Sequence, residues 1–224
     1  MTHALILDMD GVLVDSGPFH FASWKLFAAE HGVEVDRAFF LHTFGRTNRY
    51  IFPYLFGREV SEEELLRWTN RKEELFRELI AGRITPPAGL PALLDGLRSR
   101  GWKITIGSSA PRDNIEFVVR ELHLADVVAA YTCSEEVSRG KPDPEVFLKT
   151  AAKVGALPAR CVVIEDAVYG IHAAHAAGMK CVAITTTFPA EQLGEADRVI
   201  GSFRDLTAAD VVGLTETLAE KRVS

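Results

Sequence analysis

The chain has 224 residues, 47% hydrophobic and 25% charged, enough for one large domain or for a core domain carrying a smaller insert. Its formal net charge of −6 speaks against a general nucleic-acid binder, which needs a basic face, but leaves room for an anionic small molecule held by local cations or a metal. No apolar run approaches the roughly 18 residues of a membrane span, and MTHALILDMD meets acids where a signal peptide would stay apolar, so the expectation is a cytoplasmic protein with neither membrane nor nucleic acid as partner.

Short apolar runs recur along the chain: ALIL (4–7), KITIG (103–107), VVAAYT (127–132), CVVIE (161–165), CVAIT (181–185) and RVIGS (198–202). Runs of this kind suit strands of a parallel sheet covered on both faces. The interval between ALIL and KITIG far exceeds the dozen or so residues that a crossover needs. It reads as several helices: FHFASWKLFAAEHG, a stretch at about 35–56, and SEEELLRWTNRKEELFRELIAG. The last opens with Ser61 and Glu64 at capping-box spacing, and Leu65, Trp68, Leu75, Phe76 and Leu79 supply its apolar face. Trp24 and Trp68 read as packing residues, and the acidic runs 61–64 and 73–74 as helix surface. GRITPPAG (82–89), with two prolines and two glycines, reads as a return linker.

After it, LPALLDGLRSRG, RDNIEFVVRELH, PEVFLKTAAKVG and YGIHAAHAAG alternate with the strand runs. The expected architecture is α/β: a doubly wound parallel sheet over residues 1–14 and 86–224, with an α-helical insert at 15–85 and hinges at 15–18 and 82–88. Cys133, Cys161 and Cys181 form no CxxC pair, and an odd number closes no disulfide set, so they read as small buried hydrophobes. His172 and His175 lie three apart without a third ligand nearby and read as structural.

Chemistry collects at the ends of the strand runs. ALIL runs into Asp8-Met9-Asp10-Gly11, and strand ends in an open α/β sheet face the ligand crevice. Two crowded carboxylates persist where a cation lies between them or their pKa values separate. On its own the motif also fits a plain strand-ending turn. KITIG runs into Ser108 and Ser109, whose hydroxyls suit phosphoryl oxygens. Lys141 is held in Gly-Lys-Pro-Asp-Pro, where the prolines stiffen the loop. CVVI runs into Glu165-Asp166, a second acidic pair of hard oxygen donors suited to Mg²⁺.

Together, DMDGVLVDS (8–16), KITIGSS, GKPDPEVF (140–147) and VVIEDAVYGIHAAHAAG (162–178) resemble the haloacid dehalogenase superfamily in order and spread. The insert resembles the helical cap of the subfamily that includes β-phosphoglucomutase and many sugar-phosphate phosphatases. The resemblance implies a Rossmann-like core, with Asp8 as the nucleophile and Asp10 as the general acid/base. It implies Mg²⁺ on the Asp8 carboxylate, the Asp10 carbonyl and Asp166, with Glu165 beside it. Ser108 and Lys141, with Ser109 adjacent, would hold the phosphoryl group. Asp10 favours phosphoryl chemistry over halide removal. His20 and Lys72 resemble a cap pair that positions the acid/base; by spacing alone each also reads as an ordinary helix residue. Where the mutase pattern has an arginine for a second phosphate, this chain has Asn48, flanked by Arg46 and Arg49. The expectation is therefore a phosphatase on a small phosphorylated metabolite, a monomer or weak homodimer. A β-phosphoglucomutase-type transfer stands second and a non-catalytic binding module third.

Overall fold

The computed structural model describes residues 2–43 and 47–220. Every apolar run forms a strand: β1 (Thr2–Leu7), β2 (Lys103–Gly107), β3 (Val128–Thr132), β4 (Ala156–Glu165), β5 (Lys180–Ile184) and β6 (Arg198–Ile200). Among the described residues they make one parallel sheet in the order β3-β2-β1-β4-β5-β6. The direction of winding reverses between β1 and β4, which lie side by side with Leu7 opposite Ile164. That switch point is where open sheets of this kind bind ligands.

The insert contributes α1 (Gly17–Glu30), α2 (Arg37–Thr43), α3 (Asn48–Phe56) and α4 (Glu62–Ile80). The rest of the chain adds α5 (Leu90–Arg98), α6 (Arg112–Glu121), α7 (Glu145–Lys153), α8 (Val168–Ala176) and α9 (Ala208–Glu220). Two compact units result, one of Met1–Asp15 with Ile84–Ser224 and the other of Ser16–Arg83. Among the described residues no helix is long and apolar enough to cross a membrane.

In the sheet unit, period-two alternation sends Ala4 and Ile6, Cys161 and Val163, and Cys181 and Ala183 to one face, where they pack with Val146, Phe147 and Ala151 of α7 and Ile171 and Ala174 of α8. The opposite residues Leu5, Leu7, Val162 and Ile164 are equally buried. Helix α5 lies on β2, α9 on β4, and the two helices touch, covering the second face. Double coverage is why the strand sequences are continuously apolar. All three cysteines are free and buried, and burial pushes the Cys133 and Cys161 thiols up to about 12.

The helical unit has its own core of Trp24, Phe27, Ile51, Phe52, Trp68 and Leu75. Edge-on and tilted ring contacts knit it together, with Trp24 and Phe52 centroids 5.3 Å apart and Phe27 and Phe52 5.2 Å apart. The expected capping box is present: the Glu64 amide donates to Ser61 Oγ at 3.2 Å and the Ser61 amide to Glu64 Oε2 at 3.2 Å. The stretch expected at 35–56 is two helices, α2 and α3; Phe44, Gly45 and Arg46 lie outside the described residues.

Glu73 corrects the reading of 73–74 as helix surface. It is buried, and its Oε1 accepts from the buried Lys72 ammonium at 2.9 Å, which compensates part of the desolvation of its charge. Helix α9 goes beyond the elements read from the sequence. Its start carries a legible signal, since Thr207 and Asp210 exchange backbone-to-side-chain bonds of 2.8 and 3.2 Å.

Phe147 is fully buried between the sheet and α7, and its ring lies within 3.0 Å of where a Cβ on Gly107 would stand. Phe147→Ala should cost about 3–5 kcal/mol of stability, as phenylalanine truncations in packed cores do. Urea unfolding of the two proteins measures this.

Candidate active site

Asp8 directly follows β1. Its amide donates to Ile164 O at 3.0 Å, extending the β1–β4 ladder by one residue. The chain then closes on itself: the amides of Val12, Leu13 and Val14 all approach Met9 O at 2.9–3.3 Å, and the Gly11 amide donates to Val14 O at 2.8 Å. This turn needs a glycine at 11 twice over. Gly11 has φ +76°, and a Cβ there would lie 1.8 Å from Asp166 Oδ2. Asp10 sits in the turn, half-buried.

Glu165 ends β4 and Asp166 follows it. With Asp8 they form a buried trio, each offering one carboxylate oxygen within 4.8 Å of the others. Glu165 is held from both sides. Its Oε2 accepts the Asp166 and Ala167 amides at 2.9 and 3.0 Å, and its Oε1 accepts the Lys141 ammonium at 2.6 Å. Gly170, in the first turn of α8, makes room for it, since a Cβ there would fall 1.9 Å from the Glu165 carboxyl carbon.

Lys141 also donates to Asp8 Oδ1 at 2.8 Å and stands 4.8 Å from the Phe147 ring centroid. Its loop is fastened by side chains: Asp143 Oδ1 accepts the Glu145 amide at 3.0 Å, and Glu145 Oε2 accepts the Ser138 and Arg139 amides at 2.9 and 3.0 Å. Ser108 is buried beyond the end of β2, its amide donating to Thr132 O and its Oγ accepting the Ala110 amide, both at 3.1 Å. Ser109 is exposed.

The electrostatics follow from crowding. Burial raises the Asp8 carboxyl to about 7, Glu165 and Asp10 adding to the rise and Lys141 opposing it. Burial raises Asp166 to about 8, with Glu165 and Asp8 adding and the Thr187 hydroxyl opposing. Burial alone would lower the Lys141 pKa, but the Asp8 and Glu165 charges hold it above the ordinary lysine value. Three ionised carboxylates against one ammonium leave two negative charges uncompensated, the charge of one divalent cation. The donors are all hard oxygens, so the cluster fits such an ion.

The remaining residues singled out in the sequence lie in the helical unit. His20 Nδ1 is 2.7 Å from Lys72 Nζ, and the His20 ring stacks on Phe76 with centroids 4.0 Å apart. Lys72 is buried near Trp24 and Phe76, which excludes the reading as a solvated helix charge. Asn48 Nδ2 donates to Thr69 Oγ1 at 3.4 Å. Arg49 is exposed and paired with Glu62 through two bonds, while Arg46 lies outside the described residues.

A family model for haloacid dehalogenase-like hydrolases matches residues 2–178, which takes in the Asp8, Ser108, Lys141 and Glu165-Asp166 segments. The chain belongs to this family. Within it, the chain is 33% identical to β-phosphoglucomutase of Bacillus subtilis over 91% of both proteins. It is 30% identical to the chloroplastic 5-amino-6-(5-phospho-D-ribitylamino)uracil phosphatase of Arabidopsis thaliana over 95% of its own length, and spans 57% of that longer relative. A crystal structure of a family IA, variant 3 haloacid dehalogenase hydrolase from Entamoeba histolytica superposes with TM-score 0.88 at 26% identity, covering 96% of this chain and 100% of the other.

Two features of this family member escaped the sequence reading. His172 and His175 are structural, as read, but their partners were not foreseen: they meet Glu195 at 3.0 Å and Asp197 at 3.1 Å, separate acids of one later segment. Thr187, in the TTT run after β5, donates its hydroxyl to Asp166 Oδ2. The signal for Thr187 was its place just past a strand end, the same rule that picked out Ser108.

Carboxyls whose folded pKa lies above the unfolded value stabilise the fold at low pH, and that stability is lost as pH rises through the folded pKa. For Asp8 and Asp166 the window runs from about 4 to about 8. Since a cation needs the ionised forms, Mg²⁺ should raise the melting temperature more at pH 8 than at pH 5. Thermal scans with Mg²⁺ and with EDTA at both pH values measure the difference; an equal shift at both would remove these carboxylates as cation ligands.

Proposed function

We propose that the chain is a Mg²⁺-dependent phosphatase acting on a small phosphorylated metabolite through an aspartyl-phosphate on Asp8. The observation that carries this reading is the Lys141 ammonium bonded to both Asp8 and Glu165 beside Asp166. A binding module has no use for a nucleophile and an acid/base on one turn. Phosphoryl transfer chiefly needs alignment and charge stabilisation, and this arrangement supplies both.

Asp8, the Asp10 carbonyl and Asp166 would hold the ion, with Glu165 adjoining. When bound, Mg²⁺ supplies positive charge to the phosphoryl oxygens and relieves the repulsion between carboxylates and substrate. The chain's own residues do the rest. A carboxylate oxygen of Asp8 attacks phosphorus, and the bond from phosphorus to the ester oxygen breaks as Asp10 gives that oxygen its proton. Water then attacks the aspartyl-phosphate, losing its proton to Asp10, and phosphate leaves with the Asp8 carboxylate restored. Lys141 and Ser108 hold the phosphoryl oxygens, with the adjacent, exposed Ser109 as a further phosphate-binding candidate. In the helical unit, His20, Lys72 and Asn48 are the proposed substrate-handling groups. Arg46 is kept from the sequence alone.

A second reading is phosphoryl transfer between hydroxyls of one sugar, favoured by the identity to β-phosphoglucomutase. Against it, Asn48 replaces a cation at the second-phosphate position and the neighbouring Arg49 is engaged by Glu62.

Phosphate release across a panel of phosphorylated metabolites should require Mg²⁺ and vanish in chelator. Asp8→Asn should lower it on the order of 10,000-fold or more, the scale of losing a catalytic nucleophile, while the circular dichroism spectrum is retained. Asp10→Asn should lower it about 100- to 10,000-fold, the usual contribution of general acid–base catalysis. Incubation with β-glucose 1-phosphate and a bisphosphate activator separates the two readings: glucose 6-phosphate would establish the mutase, and free phosphate alone the phosphatase.

A further inference from the structure

Three loops meet on one oxygen of Asp166. The turn after β1 brings Gly11, whose missing side chain leaves the space: a Cβ there would stand 1.8 Å from Asp166 Oδ2 and 2.9 Å from Thr187 Oγ1. The end of β4 brings Asp166 itself. The chain leaving β5, which pairs with β4 through Glu165 and Ala183, brings Thr187, whose hydroxyl donates to Asp166 Oδ2.

That hydroxyl is held in place from both sides. Two residues earlier the Thr185 amide donates to Ile200 O at 3.0 Å, fastening the loop to β6. One residue later Phe188 packs against the core beneath α7 and α8. Thr187 therefore reaches Asp166 from an anchored backbone, and the chain folds with this donor already aimed.

A hydrogen bond from a hydroxyl to a carboxylate is strengthened when the acceptor is ionised, and it fixes the plane of the acceptor. A carboxylate that binds a cation needs both properties: it must be ionised, and it must stay turned to the ion without losing side-chain entropy at each binding event.

We propose that Thr187 is a positioning residue of the active site, whose hydroxyl orients the Asp166 carboxylate for the divalent cation. The inference rests on the metal-dependent reading above. It adds a member from outside the four motifs, on the loop after β5. Thr187 does not touch the substrate; it acts through Asp166. Its removal should weaken cation binding and leave turnover at saturating cation nearly intact.

The test uses the full chain. Thr187→Val removes the hydroxyl and keeps the branched shape, Thr187→Ser keeps the hydroxyl, and Thr187→Ala serves if valine does not fold. Calorimetric titration with Mg²⁺ should give a dissociation constant about 10- to 100-fold higher for Thr187→Val, the usual cost of losing an orienting partner, and one near the parent value for Thr187→Ser. In phosphate-release assays the Mg²⁺ concentration for half-maximal rate should rise in parallel, with kcat at saturating Mg²⁺ retained. Parent-like Mg²⁺ affinity in Thr187→Val overturns the proposal. So does an equal loss in Thr187→Ser, which would make the residue a packing element of its loop. Absence of saturable Mg²⁺ binding by the parent overturns the metal-dependent reading and the proposal together. Weakened binding in Thr187→Val from a parent that binds Mg²⁺ but releases no phosphate sustains the proposal and removes the phosphatase reading alone.

Discussion

Lys141 bridges Asp8 and Glu165 at 2.8 and 2.6 Å inside a pocket of charge that also holds Asp166, and the rest of the sheet unit is arranged around keeping those groups together. Burying three carboxylates around one ammonium is unfavourable on its own, because desolvation and like-charge repulsion both oppose ionisation. The fold tolerates it by satisfying the groups individually. Glu165 takes two backbone amides and the lysine, Asp8 takes the lysine, and Asp166 takes the Thr187 hydroxyl. The strain that remains is electrostatic, and a proton or a divalent cation held there would relieve it.

The same constraint dictates where side chains must be absent. Gly11 and Gly170 stand against Asp166 and Glu165 so closely that a single methyl group at either would displace a carboxylate. These glycines differ from those that end helices. Gly57, for instance, takes a positive φ with open space around it, so there the backbone alone sets the demand. At Gly11 both demands coincide, so the turn after β1 tolerates no side chain at that position.

The helical unit poses a smaller version of the same problem. Lys72 is buried among aromatic rings with its ammonium divided between His20 and Glu73. A lysine so placed gives up hydration, and its hydrogen bonds to His20 and Glu73 offset part of that loss. Under the proposed reaction, the choice between water and a sugar hydroxyl as phosphoryl acceptor would leave the roles proposed for Asp8 and Asp10 unchanged. It would turn on groups that meet the substrate away from phosphorus, which is why the two proposed readings of function differ over Asn48 and not over the acidic core.

The sequence by itself determined the strands, most helices and the four segments that carry the family resemblance, because each is a local signal: a continuous apolar run, a capping pair, a polar residue just past a strand end. The capping pair at Ser61 and Glu64 and the runs at 103–107 and 181–185 needed no distant partner to be recognised. Only the tertiary structure decided which of those residues touch. That Glu165 is spent on Lys141 and two amides and that Thr187 reaches Asp166 depend on the order β2-β1-β4-β5, and that Glu73 is buried and not a surface charge depends on the packing of the helical unit around Lys72. Pairing between strands separated by many residues leaves no mark in the residues alone; it is fixed when the two faces of the sheet are buried together.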